Sequence, residues 1–477
     1  MALTLAAVES DEEVGPSGRT AVAVVAIGLG VVASWSLRAG GLPLDAIAFG
    51  LVWVGSLLLL ADHHPARFLS PAGLYLIVFG LFHGGLLASV ALRGERGYVS
   101  PVASAWINSP GVPGAVRLSM LGCASFTAAV LLVRRRAPGP VGPLDADGSG
   151  AHRPEPAADA GHDGARSFRI GLVGLGCLGF GLLVTFLAIV LGGGLGGGYA
   201  AVVASAQGNT LLTYGMLFVG FGAVFSVVGS VAQRRLGLGA FGLFAVVAVP
   251  LGLRGPVLFV VVVVLAVEVR RGLRVRPLVA VAVAIALLML IGVVRETRAE
   301  GPAGLLHGHW AAGPMDAIGE MGFSLYPTVV VERWHQQGDS FRHGSTLFAI
   351  PLRFTERLVG PPPPDDDRRL FNVEVLDRVG PIGGSPIAEG FHNFGVPGVV
   401  GLMAAIGAAI AWADRRRSSA AADALLGIVM LPLVVQVRNF FGVVPAQVFI
   451  GLVLLGIALL IPRRTRLGAA LAASSRS

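Results

Sequence analysis

Long apolar runs separated by short polar segments make up most of the 477-residue chain. A membrane-spanning helix needs about 20 mostly apolar residues, and twelve runs of the chain approach that length. They lie at residues 19–36, 44–61, 72–92, 116–133, 169–191, 210–231, 236–253, 255–269, 277–294, 391–412, 421–438 and 443–462. The pattern predicts an all-α integral membrane protein with about twelve transmembrane helices.

Two long polar segments interrupt the apolar runs. Residues 134–168 are rich in Pro, Gly, Ala and Asp without apolar periodicity, which predicts a disordered linker. Residues 295–390 carry nine Arg against thirteen Asp and Glu, with several aromatic side chains, so we expect this loop to fold against the membrane. Loops of this length are usually functional. The predicted divisions are a four-helix membrane segment 1–133, the linker 134–168, membrane helices five to nine in 169–294, the large loop 295–390, and helices ten to twelve with a short tail in 391–477.

Composition and charge agree with a membrane protein and fix its predicted orientation. Only 13% of the residues are charged, where soluble chains have about a quarter, so soluble enzyme classes are excluded. All 36 basic residues are Arg, and 21 of them fall on one side if the spans alternate. The positive-inside rule makes that side cytoplasmic. We therefore expect a protein of the cytoplasmic membrane with both termini and the linker inside and the large loop outside. Because the net charge of +8 is sorted by membrane side, we expect no nucleic-acid partner.

Several Arg residues are predicted to converge at the outer membrane surface. Arg254 lies at the break between the seventh and eighth runs, where an ionisable residue near membrane depth is usually functional. Arg295 and Arg298 lie three residues apart where the ninth run ends, and Arg353 and Arg357 share a face if a helix begins near Pro351. The guanidinium fork matches phosphate oxygens. The alternative for the loop pair is a solvated surface charge, and for Arg295 and Arg298 a snorkelling helix end.

Glu389 and His392 lie three residues apart at the entry to the tenth run, so they share a helical face. A carboxylate or an imidazole beside an Arg cluster can accept a proton from an attacking hydroxyl; the alternative is that both only stabilise the start of the helix. Together, the Arg residues, Glu389 and His392 suit the transfer of a group from a lipid-linked phosphate or pyrophosphate donor, whose leaving group is an anion. No metal or cofactor is expected, because His307 and His309 lack a third ligand and residues 365–367 follow four prolines as an exposed turn.

The segment SPIAEGFHNFGVPGV resembles the signature near the end of the large outer loop of Wzy-type O-antigen polymerases, the oligosaccharide repeat-unit polymerases. The matching positions are Glu389, Phe391, Asn393, Phe394, Gly395 and Gly398. Two shorter stretches also resemble the family, through Arg254, Gly255, Gly344, Pro351 and Arg353. The chain departs from the family where Leu352 separates Pro351 from Arg353, and where four prolines replace a Lys-Pro pair.

The resemblance implies a metal-independent membrane glycosyltransferase of the multi-span, lipid-donor type. It would polymerise oligosaccharide repeat units carried on polyprenyl pyrophosphate at the outer face of the cytoplasmic membrane, together with flippase and chain-length regulator proteins. Arg254, Arg295 and Arg298 would hold the pyrophosphate. Glu389 or His392 would assist the acceptor hydroxyl, and Asn393 would hold the backbone or a sugar hydroxyl.

Other functions stay open at this stage. An enzyme similar to the O-antigen ligases would move a finished glycan to another acceptor, and the sequence separates it poorly from a polymerase. A flippase or transporter would carry charges within its spans, whereas most charges here lie at their ends. A non-catalytic scaffold would tolerate loss of the Arg residues and Glu389.

Overall fold

A computed structural model describes residues 18–36, 41–97, 100–135, 157–191, 210–297, 313–360 and 367–461. Within these ranges the chain is helical, without a β-strand. The helices are α1 (Gly18–Ser36), α2 (Leu42–Asp62), α3 (Pro71–Arg93), α4 (Pro101–Ile107), α5 (Val112–Arg135), α6 (Ala157–Leu191), α7 (Thr210–Val228), α8 (Val231–Ala248), α9 (Arg254–Arg270), α10 (Pro277–Thr297), α11 (Pro314–Met321), α12 (Tyr326–Gln336), α13 (Ala349–Val359), α14 (Phe371–Arg378), α15 (Pro386–Asp414), α16 (Ala420–Gln436) and α17 (Val444–Leu460).

Each of the twelve apolar runs coincides for most of its length with one of these helices, although the run 236–253 continues past the end of α8 at Ala248. Eight helices of the described chain are long and apolar enough to cross a membrane, namely α2, α3, α5, α6, α7, α8, α15 and α17. Two shorter apolar helices coincide with α1 and α16. The protein is therefore an all-helical, multi-span membrane protein, as the apolar pattern predicts.

Ser-Pro pairs begin three of the helices. The Ser70 hydroxyl accepts a hydrogen bond from Gly73 N at 3.1 Å before α3, and Ser385 accepts one from Ile387 N at 3.1 Å before α15. Ser100 does the same for Ala103 N at 3.2 Å before α4. A Ser cap satisfies a backbone donor that the helix leaves free, and Pro in the first turn needs no such partner. These local signals set where α3, α4 and α15 begin.

The predicted disordered linker 134–168 is wrong at both of its ends, because α5 extends to Arg135 and α6 already begins at Ala157. Residues 136–156 lie outside the described residues. Ser167 donates a hydrogen bond to Val228 O at 2.7 Å, and Asp163 accepts one from Ala420 N at 3.2 Å. These polar contacts connect the N-terminal part of α6 to α7 and α16. The linker prediction rested on missing apolar periodicity, which does not detect a helix held by polar side chains.

The predicted large loop is folded onto one end of the bundle. It contains α11 to α14, and α15 begins before the apolar run that it carries. Arg93 at the end of α3 pairs with Asp316 at 2.6 Å, and Trp106 of α4 stacks on Tyr326 with ring centroids 4.8 Å apart. We call this end of the bundle the loop side.

The opposite end holds the Arg clusters through shared carboxylates. Asp414 pairs with Arg134 at 2.9 Å and with His64 at 3.2 Å. Asp423 pairs with Arg270 at 3.0 Å and with Arg271 at 3.3 Å. Asp414 of α15 thus connects α5 to the turn after α2, and Asp423 of α16 holds the end of α9. Both lie at the end of the bundle where positive charge predicts the cytoplasm.

We expect Ser340→Cys, on the loop side, to react with a membrane-impermeant thiol reagent in intact cells, because the Arg distribution places this side outside. Ser418→Cys lies between α15 and α16 at the opposite end and should react only after permeabilisation. Both serines are exposed, and the native Cys123 and Cys177 are buried, so the background should be low. The reverse labelling pattern would invert the predicted orientation.

Candidate functional site on the loop side

Helix α15 is broken at the centre of the segment that resembles the polymerase signature. Phe394 and Gly395 leave helical geometry, and Gly395 has φ of 65°, a conformation that favours glycine. A Cβ on Gly398 would overlap the carbonyl oxygen of Gly390. In a continuous helix these residues would be about 12 Å apart along the axis, so the break folds residues 386–393 back against the start of the second half.

Gly398→Ala should destabilise the protein by about 1–3 kcal/mol, because its new methyl group would meet backbone rather than a side chain that can move. Gly401→Ala in the same helix is the matched control, since its Cβ would meet nothing within 4 Å. Thermal unfolding of the purified protein in lipid nanodiscs measures both. Equal stability of the two variants would contradict the close packing of the two half-helices.

The end of the first half-helix is capped by residues of the large loop. His392 O accepts a hydrogen bond from Arg342 N at 3.0 Å, and Asn393 O accepts one from His343 N at 3.0 Å. The Asn393 side chain also accepts one from Gly344 N at 2.8 Å. These bonds satisfy carbonyl groups that a helix end leaves free. The sequence-predicted residue Asn393 therefore holds backbone, which is one of the two roles expected for it.

We call the meeting point of the first half of α15, the loop segment 342–346 and the turn before α17 the joint. Glu389 lies fully buried at its centre. One carboxylate oxygen accepts a hydrogen bond from the Thr346 hydroxyl at 2.9 Å, and the other accepts one from Phe441 N. Asn393 Nδ2 donates to Thr346 Oγ1 at 2.7 Å and to Glu389 O at 2.8 Å. Both oxygens of the predicted base are thus used by the protein itself, and its catalytic role stays a prediction.

His392 is also fully buried, and it lies in a second polar cluster next to the joint. Its Nε2 lies 3.0 Å from Glu374 Oε2, and its Nδ1 lies 3.1 Å from His335 Nε2. Arg342 Nε is 3.3 Å from His392 Nε2, while the same guanidinium bonds Glu374. We call His335, Arg342, Glu374 and His392 the histidine cluster. Sequence reasoning found only His392, because the other members lie on α12, on the following segment and on α14.

The hydrogen bonds define the proton positions within the histidine cluster. His335 Nδ1 lies 2.9 Å from Asp339 O, and a carbonyl can only accept, so this nitrogen carries a proton. Burial lowers the pKa of His335, which favours the neutral ring, and its Nε2 then accepts from His392 Nδ1. His392 Nε2 is left between a donor, Arg342, and an acceptor, Glu374. A neutral His392 accepts from Arg342, and a protonated one donates to Glu374.

The carboxylate of Glu374 stays charged in this environment. Burial alone raises its pKa, but the hydrogen bonds from His392 and Arg342 outweigh burial and bring the pKa down to about 2. Arg378 adds a contact at 3.3 Å and stacks over the Trp334 ring at 3.8 Å. An ionised Glu374 can stabilise the imidazolium that forms when His392 takes up a proton.

The predicted anion ligand Arg254 has a partner within the protein. It begins α9 and makes a two-point contact with Glu320 of α11, one arm of it at 2.9 Å. The side chains of Arg254 and Glu320 are 12% and 11% exposed. Sequence reasoning predicted that a charge at this depth needs an anion, but it missed Glu320 in the folded loop. Binding of pyrophosphate by Arg254 stays a prediction.

The other predicted Arg residues do not come together in the described chain. Arg353 is buried and pairs with Asp367 at 3.1 Å, whereas Arg357 on the same helix is exposed. The Arg369 guanidinium holds the pKa of Asp367 below its usual value, so Asp367 belongs to an ion-pair network rather than to an open turn. Arg295 lies on α10 with its side chain outside the described residues, and Arg298 lies outside them altogether, as do His307 and His309.

Comparisons with protein-family models, with curated proteins and with solved structures find no match to this chain. Within the described ranges, no group of three or more His, Cys, Asp or Glu side chains is placed to hold a metal ion. The class that the fold defines is therefore an all-helical, multi-span membrane protein with a buried polar cluster on its loop side.

We expect Arg254→Ala and Glu320→Ala each to lower the free energy of unfolding by up to about 3–5 kcal/mol, because each removes the ion-pair partner of a largely buried charge. The double variant should lose less than the sum of the two single losses. Thermal unfolding in nanodiscs measures this coupling, with the exposed Arg368–Asp377 pair as the control. Additive losses would mean that Arg254 does not depend on Glu320, and an external anion would become its expected partner.

Proposed function

We propose that the protein is a membrane glycosyltransferase that polymerises oligosaccharide repeat units from polyprenyl pyrophosphate carriers at the outer face of the cytoplasmic membrane. The observation that carries the proposal is the buried His392–Glu374 pair with Arg342 beside it. This arrangement combines a proton acceptor, a group that stabilises its charged form, and a permanent cation. His392 is part of the segment that resembles the polymerase signature, and Glu374 and Arg342 lie beside that segment.

The proposal includes twelve membrane crossings with both termini in the cytoplasm. Beyond the eight long apolar helices, it requires α1, α9, α10 and α16 to cross as well. The helices α9 and α16 each have 17 residues, which corresponds to roughly 26 Å at 1.5 Å per residue. That length is close to the hydrocarbon thickness of about 30 Å, so both helices can cross with their charged ends at the interfaces.

The proposed reaction transfers a glycan from one lipid carrier to another glycan. A sugar hydroxyl of the acceptor attacks the anomeric carbon of the donor repeat unit, and the bond from that carbon to the pyrophosphate oxygen breaks. The hydroxyl proton passes to His392 Nε2, where Glu374 stabilises the imidazolium. Because His392 is fully buried and its Nε2 lies 3.3 Å from Arg342 Nε, this step requires Arg342 to move aside as it binds the pyrophosphate. Polyprenyl pyrophosphate leaves as an anion, for which Arg342 is the proposed contact because its side chain is 34% exposed beside His392. A flippase would supply the donor, and a chain-length regulator would act on the product.

His392→Gln should lower polymer formation by roughly 100- to 10,000-fold, since it removes the proton acceptor. Glu374→Gln should also reduce it, because the imidazolium loses its counter-charge. The measurement is the size of surface polysaccharide in a deletion strain that expresses each variant, with lipid-linked repeat units quantified in parallel. Repeat units should accumulate while long chains disappear.

Arg368→Ala is the matched control, because Arg368 makes only an exposed pair with Asp377, in which the side chains are 64% and 56% exposed. It should leave the polymer unchanged. The amount of folded protein must be equal in all strains. Full-length polymer from well-folded His392→Gln would contradict the site. Transfer of a finished glycan without chain growth in the wild type would instead identify an enzyme of the ligase type.

A further inference from the structure

Helix α13 carries its large apolar side chains away from the protein. Phe354, Leu358 and Val359 are 64%, 71% and 89% exposed. Leu352 in the first turn and Phe348 just before the helix are 41% and 58% exposed. Such a concentration of exposed apolar side chains on one short helix marks an interaction surface.

The side of the same helix that faces the protein carries its charged contacts. Its buried residues are Ala349 and Arg353, and Glu356 lies at the edge with its side chain 41% exposed. Arg353 is only 8% exposed and pairs with Asp367 at 3.1 Å, while Arg369 joins Asp367 at 2.8 Å to Glu356 at 2.5 Å. A helix on a water-facing surface has its apolar face inward and its charged face outward. The polarity of α13 is inverted, which is the arrangement expected where the outer medium is apolar.

The position of α13 indicates what that medium is. The helix packs against α17 and against the turn Phe441–Val443 that leads into it. Helix α17 is apolar and mostly unburied, with Phe449 67% exposed, so its outward face meets lipid. The apolar face of α13 continues this lipid-facing surface at the loop-side end of α17.

The apolar surface also reaches the break in α15. A Cβ on Gly344 would lie 3.2 Å from Phe394 and 3.8 Å from Phe348, so both rings lie close to Gly344. Phe394 is itself 45% exposed. Arg357 is exposed on α13 between the apolar arc and the buried face, a position from which a guanidinium reaches lipid phosphates.

We propose that α13 is an interfacial helix whose apolar face lies in the acyl chains of the loop-side leaflet. Phe348, Leu352, Phe354, Leu358 and Val359 enter the bilayer, and the ion pairs of Arg353 and Arg369 connect the helix to the rest of the loop. The loop is thereby held at the membrane surface. The proposal requires only the membrane and is independent of the proposed reaction.

Nitroxide labels on cysteine variants of the full-length protein in phospholipid nanodiscs test the proposal. We expect labels at Phe354→Cys and Leu358→Cys to collide with oxygen far more often than with a water-soluble nickel chelate. The ratio should be several-fold above that of Ser340→Cys, which faces water, and close to that of Leu452→Cys on the lipid-facing side of α17. Unsubstituted protein should take up little label, because both native cysteines are buried.

Frequent collisions with the nickel chelate at both positions would place the helix in water and overturn the proposal. Rare collisions with both reagents would mean that protein covers the surface, and dipolar broadening between labels would then identify a second copy; this result also overturns the proposal. Val359→Cys replaces the most exposed side chain of the set. Val359→Cys should therefore disturb the fold least, and its label should give the same ratio of oxygen to nickel collisions if the other two variants do not fold.

Discussion

The fully buried carboxylate of Glu389 is the contact on which the loop side of the structure depends. A carboxyl group in such a position is costly unless hydrogen-bond partners surround it. Thr346 supplies a hydroxyl and Phe441 supplies a backbone N–H, so the large loop and the turn before α17 must meet at the first half of α15. His392 lies one turn further along the same half-helix. The joint therefore also fixes the imidazole against Glu374 and His335.

The residues that resemble the polymerase signature can be understood through this joint. Gly395 permits the break, and Gly398 lets the two halves of α15 touch at Gly390. Asn393 caps the half-helix and orients the Thr346 hydroxyl. These side chains build a bent support, while the groups suited to proton transfer lie beside it. A short motif of this kind therefore carries information about architecture first, and the candidate chemistry depends on His392 together with Glu374 and Arg342, which lie outside the segment.

The apolar pattern was enough to place helices, because length and hydrophobicity are local properties of the chain. It missed the start of α6 at Ala157, where the helix is held by Asp163 and Ser167 rather than by an apolar face. The candidate site was harder to predict from the sequence. His392 and Glu389 were visible through their spacing, but Glu374 reaches His392 only because α14 folds back onto α15, and no spacing rule predicts that contact. The need of Arg254 for an anion followed from membrane physics, whereas the identity of Glu320 required the fold of the loop.

The charge of the large loop limits how an anionic donor can be recognised. Residues 295–390 carry nine Arg but thirteen Asp and Glu, so the loop has a net negative charge and does not attract a pyrophosphate from a distance. Most of its described Arg side chains are held by neighbouring carboxylates, as in the Arg353, Arg369 and Arg378 pairs. Interactions between exposed charges are largely screened beyond about 8 Å in physiological salt, so recognition has to rely on short contacts such as that proposed for Arg342. A donor anchored in the membrane suits this requirement, because its lipid tail confines it to the surface and lateral diffusion brings its phosphates within reach of the site.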